Sequence, residues 1–127
     1  MLSDLKKSLK HKKVDDERGT LSVIEGIDFF HVKRVYTIEC LQNHWRGEHY
    51  HKLTNQMICL LDGKLLVEVS TENDSCTFEM SSGDVFEQIA GYQFKFKSLV
   101  TLSKILILCD RENDVTDYYT TQKVEGT

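Results

Sequence analysis

The sequence predicts an all-β fold, and three observations support this prediction. Apolar residues recur at every second position over most of the chain, which is the period of a strand and not of a helix. The apolar runs are short and rich in β-branched residues. Clusters of Gly, Asn, Asp and Ser separate them at intervals typical of a β-sandwich or barrel. The 127 residues contain no repeat, linker or low-complexity block, so we expect one domain over 1–127.

The predicted strands follow one another from residue 32. Residues 32–38 and 65–69 are rich in β-branched side chains and are expected to bury at least one face. Residues 56–61 form a more continuous apolar run, as in a strand buried on both faces. Asp62 and Gly63 lie between two of these runs and signal a tight turn. We therefore expect the strands over 56–61 and 65–69 to pair with each other.

Four more strands complete the expected fold. They are predicted over residues 77–80, 85–88, 94–99 and 104–109, with turn signals at 72–75 and 81–84. Short irregular or helical segments are expected only at the termini, over residues 1–13 and in the tail after Asp110.

Composition and charge exclude several classes of protein. No apolar run approaches the roughly 20 residues of a membrane helix. The net charge of −4 argues against a nucleic-acid partner, and the lysines between residues 6 and 13 are interpreted as a solvated terminal segment. The first residues lack the pattern of a secretory signal, so a cytoplasmic location is expected. The four cysteines are widely spaced, which predicts buried free thiols.

A histidine pair is the strongest candidate for a functional site. His49 and His51 are two residues apart, so on a strand they lie on the same face. Burying two imidazoles inside a β-fold is costly unless they bind a ligand, a metal or other polar partners. The alternatives are a solvent-exposed edge strand and a structural role in the core. The polar residues around the pair make the core interpretation expensive.

The spacing around this pair resembles the first motif of the cupin family, G-x5-H-x-H-x3-4-E-x6-G. His49 and His51 occupy the histidine positions and Gly63 the final glycine. Gln56 stands in place of the metal-binding glutamate, and Asn43 in place of the leading glycine. The resemblance implies an all-β, single cupin-type β-barrel, or jelly roll.

The second cupin motif, G-x5-P-x-G-x2-H-x3-N, is also recognisable. Gly83 and Gly91 are in register, but Ile89 replaces the proline and Phe94 the metal-binding histidine. A catalytic transition metal normally takes three or four protein ligands, and two of the expected ones are missing. We therefore predict a site without a metal or other cofactor.

The chain more closely resembles the sugar nucleotide 3,4-ketoisomerases, metal-free cupins that act on dTDP-4-keto-6-deoxyglucose. Four blocks match in unbroken order: D-x-R-G-x-L over residues 16–21, VKRVYxI over 32–38, R-G-x-H-x-H-K over 46–52, and an acidic, tyrosine-bearing tail over 114–118. A fifth block, I-P-P-G-x-W-H-E, is weak, because residues 89–95 lack its Pro, Trp and His.

The resemblance implies a reaction and roles for particular residues. The keto group of the hexose moves from C4 to C3 through an enediol, in the making of amino sugars for surface polysaccharides. His49 would remove the C3 proton, and His51 would transfer protons at the oxygens or at C4. Arg18 and Tyr36 would donate hydrogen bonds to the enediolate oxygen.

Four further residues are implied on the substrate-binding side. Arg46 and Lys52 would attract the diphosphate or shape the strand. Gln56 and Phe94 occupy the two former ligand positions. Arginine at position 18 suggests the galacto-configured branch of the family, whereas Phe94 removes the residue on which that assignment relies. The family also forms homodimers by exchanging N-terminal strands, for which residues 14–24 are available.

Two other functions remain open from the sequence. The same pair of histidines would serve an epimerase acting beside the ketone of a related sugar nucleotide. A non-catalytic cupin that binds a dTDP-linked sugar, with Phe94 marking a lost catalytic group, is the alternative from a different class.

Overall fold

The alternating sequence folds into strands throughout the part of the chain that the structure describes. The computed structural model describes residues 6–7, 10–25, 31–113 and 118–120, and this part holds twelve β-strands and no helix. The strands are β1 (Lys6–Lys7), β2 (Lys10–Asp16), β3 (Gly19–Glu25), β4 (Arg34–Leu41), β5 (Arg46–His51), β6 (Gln56–Asp62), β7 (Lys64–Ser70), β8 (Ser75–Ser81), β9 (Val85–Gln88), β10 (Gln93–Ser98), β11 (Leu102–Cys109) and β12 (Tyr118–Thr120).

Two antiparallel sheets of five strands form the body of the fold. One sheet has the order β1-β9-β6-β11-β4 and the other the order β12-β5-β10-β7-β8. A separate hairpin pairs β2 with β3. Within the described residues no strand pairing closes the two large sheets into a continuous barrel. The predicted all-β jelly roll is confirmed, as an open pair of sheets.

The main hydrophobic core lies between the two sheets. One sheet contributes Ile58, Phe86 and Ile105, and the facing sheet contributes Val67 and Phe96, all fully buried or nearly so. Strand β7 shows the expected alternation, with every second side chain buried, because only one face of its sheet meets the core. In β6 five consecutive residues are buried, as its continuous apolar run predicts.

The prediction that the strands around Gly63 pair with each other is wrong. Strand β6 pairs with β9 and β11, whereas β7 pairs with β8 and β10 in the other sheet. Gly63 has φ of 115°, and a Cβ there would lie 2.8 Å from the Cα of Ser103. The glycine thus makes a corner at which the chain crosses from one sheet to the other. Strand β6 is apolar on both faces, so it takes a central position between two other strands.

The described terminal segments also differ from the prediction. Residues 10–13 belong to β2, and Lys6–Lys7 and Tyr118–Thr120 add edge strands to the two sheets, so the expectation of irregular or helical termini is wrong there. Lysine-rich strands have low intrinsic β propensity, and pairing with a neighbouring strand overrides it. The remaining predicted strands are confirmed, with ends that shift by three residues or fewer.

The four cysteines are free thiols, as predicted; Cys40, Cys59 and Cys109 are buried and Cys76 is partly buried. The part of the chain with assigned structure contains no helix long and apolar enough to cross a membrane.

Candidate active site

One end of the jelly roll gathers polar residues at the ends of four strands. Gln88, Gln56, Cys109 and Arg34 are register partners in a row across β9, β6, β11 and β4. Because cross-strand partners lie on one face of a sheet, this row forms a polar layer at the edge of an otherwise apolar core. The layer is the floor of the candidate site.

A cavity of about 240 Å³ opens beside this layer, between the two sheets. Strand β4 contributes alternate residues to it, as a strand must when one face lines a pocket. The described residues that line it are Arg34, Tyr36, Ile38, Arg46, Gly47, Gln56, Gln88, Phe94, Phe96 and Ile107.

A buried hydrogen bond in the cavity joins Tyr36 and Gln56. The Nε2 of Gln56 donates to the Tyr36 hydroxyl oxygen at 3.0 Å, and it also lies 3.4 Å from the Sγ of Cys109. The guanidinium of Arg34 stacks over the Tyr36 ring, with Cζ 4.5 Å from the ring centroid. Burial raises the pKa of the Cys109 thiol, which stays protonated beside this network at neutral pH. Tyr36 is therefore held on two sides, at its ring and at its hydroxyl.

The opposite wall of the cavity is aromatic. Phe94 is 4% exposed and stacks on Phe86 with ring centroids 5.2 Å apart, and its centroid lies 4.9 Å from that of Phe96. The residue that replaces the cupin metal-binding histidine is thus part of a packed apolar wall.

The charged residues among the cavity's described lining are all positive. Among its described lining residues are two arginines, Arg34 and Arg46, and no Asp or Glu. Arginine is suited to binding phosphate oxygens through two parallel hydrogen bonds. The arrangement favours an anionic ligand.

Strand β5 brings both histidines of the H-x-H pair to this region. His49 is the register partner of Phe94, and its side chain lies outside the described part of the structure. His51 is buried, at 3% exposure, and its backbone carbonyl accepts a hydrogen bond from the Gly91 amide at 2.7 Å. His51 is not among the described residues that line the cavity.

Two predicted site residues lie elsewhere. Lys52 is exposed just beyond β5 and does not line the cavity. Arg18 lies at the turn between β2 and β3, where its side chain is 85% exposed and binds Asp16 with Nη2 to Oδ2 at 2.6 Å. The Arg18 guanidinium lowers the pKa of the Asp16 carboxyl. Of the predicted site residues, Tyr36, Arg46, Gln56 and Phe94 line this cavity, whereas His51, Arg18 and Lys52 do not.

Two polar residues of the cavity, Arg34 and Gln88, were not predicted from the sequence. Arg34 precedes Tyr36 by two residues, and residues two apart on a strand lie on the same face. Arg34 could therefore have been predicted from the position of Tyr36. Gln88 joins the cavity because β9 pairs with β6, which places it opposite Gln56. Nothing in the sequence indicates that pairing.

Within the described ranges, no three His, Cys, Asp or Glu side chains come together in a group that could hold a metal ion. The absence of a metal stays a prediction, since the His49 side chain is outside those ranges.

Comparisons with known proteins agree with the resemblance found in the sequence. QdtA, a 3,4-ketoisomerase from Thermoanaerobacterium thermosaccharolyticum solved as a double variant with TDP, has a TM-score of 0.75 at 28% identity, covering 91% of this chain and 87% of QdtA. A His-to-Asn variant of QdtA with TDP-4-keto-6-deoxyglucose has a TM-score of 0.75 at 27% identity, with the same 91% and 87% coverage.

A third structure shows the same fold at lower identity. A 3,4-ketoisomerase from Helicobacter canadensis has a TM-score of 0.75 at 21% identity, covering 92% of this chain and 91% of its own. A search of curated proteins gave no significant match. The family model described as "FdtA: WxcM-like, C-terminal" matches residues 4–124. Since that match spans nearly the whole sequence, the chain belongs to the WxcM-like, C-terminal family.

Proposed function

We propose that the protein is a dTDP-4-keto-6-deoxyglucose 3,4-ketoisomerase. The observation that carries the proposal is the cavity itself, in which a tyrosine hydroxyl, two arginines and an aromatic wall meet beside the strand bearing the H-x-H pair. The reported activity and ligands of QdtA, at 27–28% identity, support the choice of substrate.

The size and charge of the cavity fit one end of such a substrate. Its volume of about 240 Å³ is below the roughly 300–1,000 Å³ of typical small-molecule pockets, which suits a single hexose ring with the nucleotide outside. Arg46 is exposed at the entrance and would bind the diphosphate. The apolar surface of Phe94 and Phe96 would contact the deoxygenated side of the sugar.

The reaction needs a base and a fixed hydrogen-bond donor. In the proposed mechanism His49 takes the proton from C3, the C4 carbonyl oxygen gains a proton and an enediol forms. The C3 hydroxyl then loses its proton as C4 gains one, so the keto group has moved with no net oxidation. Tyr36 would stabilise the charge that develops on oxygen, and His51 would support proton transfer.

Deuterium exchange tests this proposal directly. Wild-type protein with dTDP-4-keto-6-deoxyglucose in D2O is expected to give the 3-keto isomer with deuterium at C4, measured by NMR. His49→Ala is expected to abolish exchange, whereas His44→Ala, which removes an exposed histidine outside the cavity, keeps it. Binding without exchange would refute the isomerase and favour a non-catalytic binder. Exchange with an inverted centre and no keto migration would favour the epimerase.

The metal-free character of the site is part of the proposal. A glutamine amide and a phenylalanine ring stand at two positions where cupins supply metal ligands, and neither side chain is a good transition-metal ligand. Protein purified without added metal is expected to be active and to contain far less than one metal ion per chain. Stoichiometric metal in that preparation would contradict this.

We also propose a homodimer in which the hairpin of β2 and β3 contacts a second copy. The hairpin exposes Leu21 (60%) and Val14 (46%) to solvent, and it carries Arg18, which lies outside its own chain's cavity. Mixed dimers of Arg18→Gln and His49→Ala chains are expected to regain part of the activity if Arg18 acts in the partner's site. The cytoplasmic location remains a prediction from the sequence.

A further inference from the structure

Gln56 is a buried polar side chain that contacts other protein groups. It begins β6, is 4% exposed, and directs Nε2 to the Tyr36 hydroxyl and to the Cys109 sulfur. Its backbone is fixed between register partners in β9 and β11. A side chain fixed in this way is less suited to contacting a substrate that changes shape during the reaction than to fixing the position of Tyr36.

The direction of the Gln56–Tyr36 hydrogen bond determines whether it uses the oxygen or the hydrogen of the Tyr36 hydroxyl. A phenol has one hydrogen to donate and an oxygen that accepts. Since the Gln56 amide donates to that oxygen, at 3.0 Å, the contact does not use the phenolic hydrogen. The same contact from a carboxylate would require Tyr36 to donate to it. An amide at position 56 therefore donates to the phenol oxygen and does not take up the Tyr36 hydrogen.

The ring of Tyr36 is fixed independently of its hydroxyl. Arg34 lies over one face of the ring at 4.5 Å, and the neighbouring β11 places Ile107 in register with Tyr36. Only rotation of the O–H about the C–O bond then remains to be set. A hydrogen bond accepted from Gln56 restricts that rotation.

We propose that Gln56 is a positioning residue that fixes the Tyr36 hydroxyl as a hydrogen-bond donor toward the substrate oxygen. The inference rests on the proposed function for its kinetic consequence. Its structural part, the direction of the Gln56–Tyr36 hydrogen bond, is independent of any substrate. In this proposal Gln56 acts through Tyr36, whereas the family resemblance suggested a direct substrate-binding role.

The hydrogen-bond direction can be measured without substrate. The intensity ratio of the tyrosine Raman doublet is high when the phenol oxygen accepts and low when the hydroxyl only donates. Subtracting the spectrum of Tyr36→Phe isolates the Tyr36 signal. We expect Gln56→Met to lower the ratio for Tyr36. Gln88→Met is the matched control, because Gln88 is also buried and lines the cavity but donates to the Tyr92 carbonyl at 3.2 Å.

Two results would overturn the structural part. One is an unchanged or higher ratio in Gln56→Met, which means that Tyr36 does not accept from Gln56. The other is an equal change in Gln88→Met, which means that any loss of a cavity amide disturbs Tyr36. If Gln56→Met does not fold, Gln56→Glu, which keeps the side-chain volume and reverses the hydrogen bond, is expected to lower the ratio in the same way.

Kinetics tests the consequence for catalysis. Gln56→Met is expected to lower kcat by about 10- to 100-fold and to change KM by less than about threefold, because misplacing a donor affects the transition state most. In a Tyr36→Phe background the same change is expected to lower kcat by less than about twofold, since the two residues act as one unit. Independent, multiplying effects would overturn the inference. If no exchange occurs with wild type, the proposed function fails while the Raman result still stands or falls alone.

Discussion

Gly47 is the position in the candidate site where a single methyl group has the most predictable effect. It lies in β5 between Arg46 and the H-x-H pair, with φ of 96°. A Cβ there would meet the Phe94 carbonyl oxygen at 2.8 Å and the Lys95 Cα at 3.4 Å. Both are backbone atoms of the paired strand β10, so neither can move away as a flexible side chain would. Gly47→Ala must therefore separate β5 from β10 or strain both.

Two costs add at this position. An L-residue at this φ costs about 1–2 kcal/mol in backbone strain. Forcing a methyl group against packed backbone costs about 1–3 kcal/mol more. Gly91→Ala is the matched control, because Gly91 has φ of 91° but a Cβ there meets nothing within 4 Å. The control carries the first cost without the second.

Thermal melting measures the difference. An unfolding entropy of roughly 2.1 cal/mol/K per residue over this chain means that about 1 kcal/mol shifts Tm by about 4 °C. We expect Gly91→Ala to lower Tm by about 6 °C and Gly47→Ala to lower it by about 14 °C. Circular dichroism is the readout of both melts. Gly47→Ala is also expected to lower the rate of deuterium exchange, because the strain falls beside His49. The reasoning fails if the two variants melt within about 2 °C of each other.

Four further predictions concern the site and the core. Tyr36→Phe is expected to lower kcat by about 10²- to 10³-fold with a small change in KM, as measured by steady-state turnover. Arg46→Met is expected to raise KM about tenfold and to weaken its dependence on salt; an unchanged KM would remove Arg46 from the binding role. Burial raises the pKa of Cys40 and Cys59 to about 11, so thiol labelling at pH 8 should modify Cys76 well before either, with peptide mass spectrometry as the readout. In the folded state the pKa of these two thiols is raised from the ordinary 9.0, so their contribution to the free energy of unfolding is fully present below pH 9. This contribution is lost as pH rises from 9 toward 11, and thermal melting in alkaline buffers measures the loss.

The strands of the core could be predicted because their cause is local. In β7 and β10 alternate side chains are buried, and that period is written in the sequence. Strand partners could not be predicted in the same way. The Asp62–Gly63 pair signals a tight turn in either case, and whether the chain returns along the same sheet or crosses to the other depends on which strands compete for β6. That competition involves β9 and β11, which follow much later in the chain.

The residues of the candidate site also divide into those with a local sequence signal and those placed by strand pairing. Tyr36, Gln56 and Phe94 could be found because each lies at a fixed position within a motif. Gln88 enters through the pairing of β9 with β6 and had no local signal. Arg18 belongs to a matched motif but lies outside the cavity of its own chain, because β2 and β3 form a hairpin separate from both large sheets.

Gln56 shows how one strand position can change its chemistry while keeping its place. The cupin motif puts a glutamate here, whose carboxylate serves as an anionic metal ligand. The amide of Gln56 instead donates a hydrogen bond, and a phenol oxygen accepts it 3.0 Å away. At the other altered position Phe94 supplies packing where an imidazole would bind a cation. In the proposed mechanism, the two replacements together exchange a metal site for a hydroxyl donor, the form of electrostatic assistance that an enediolate requires.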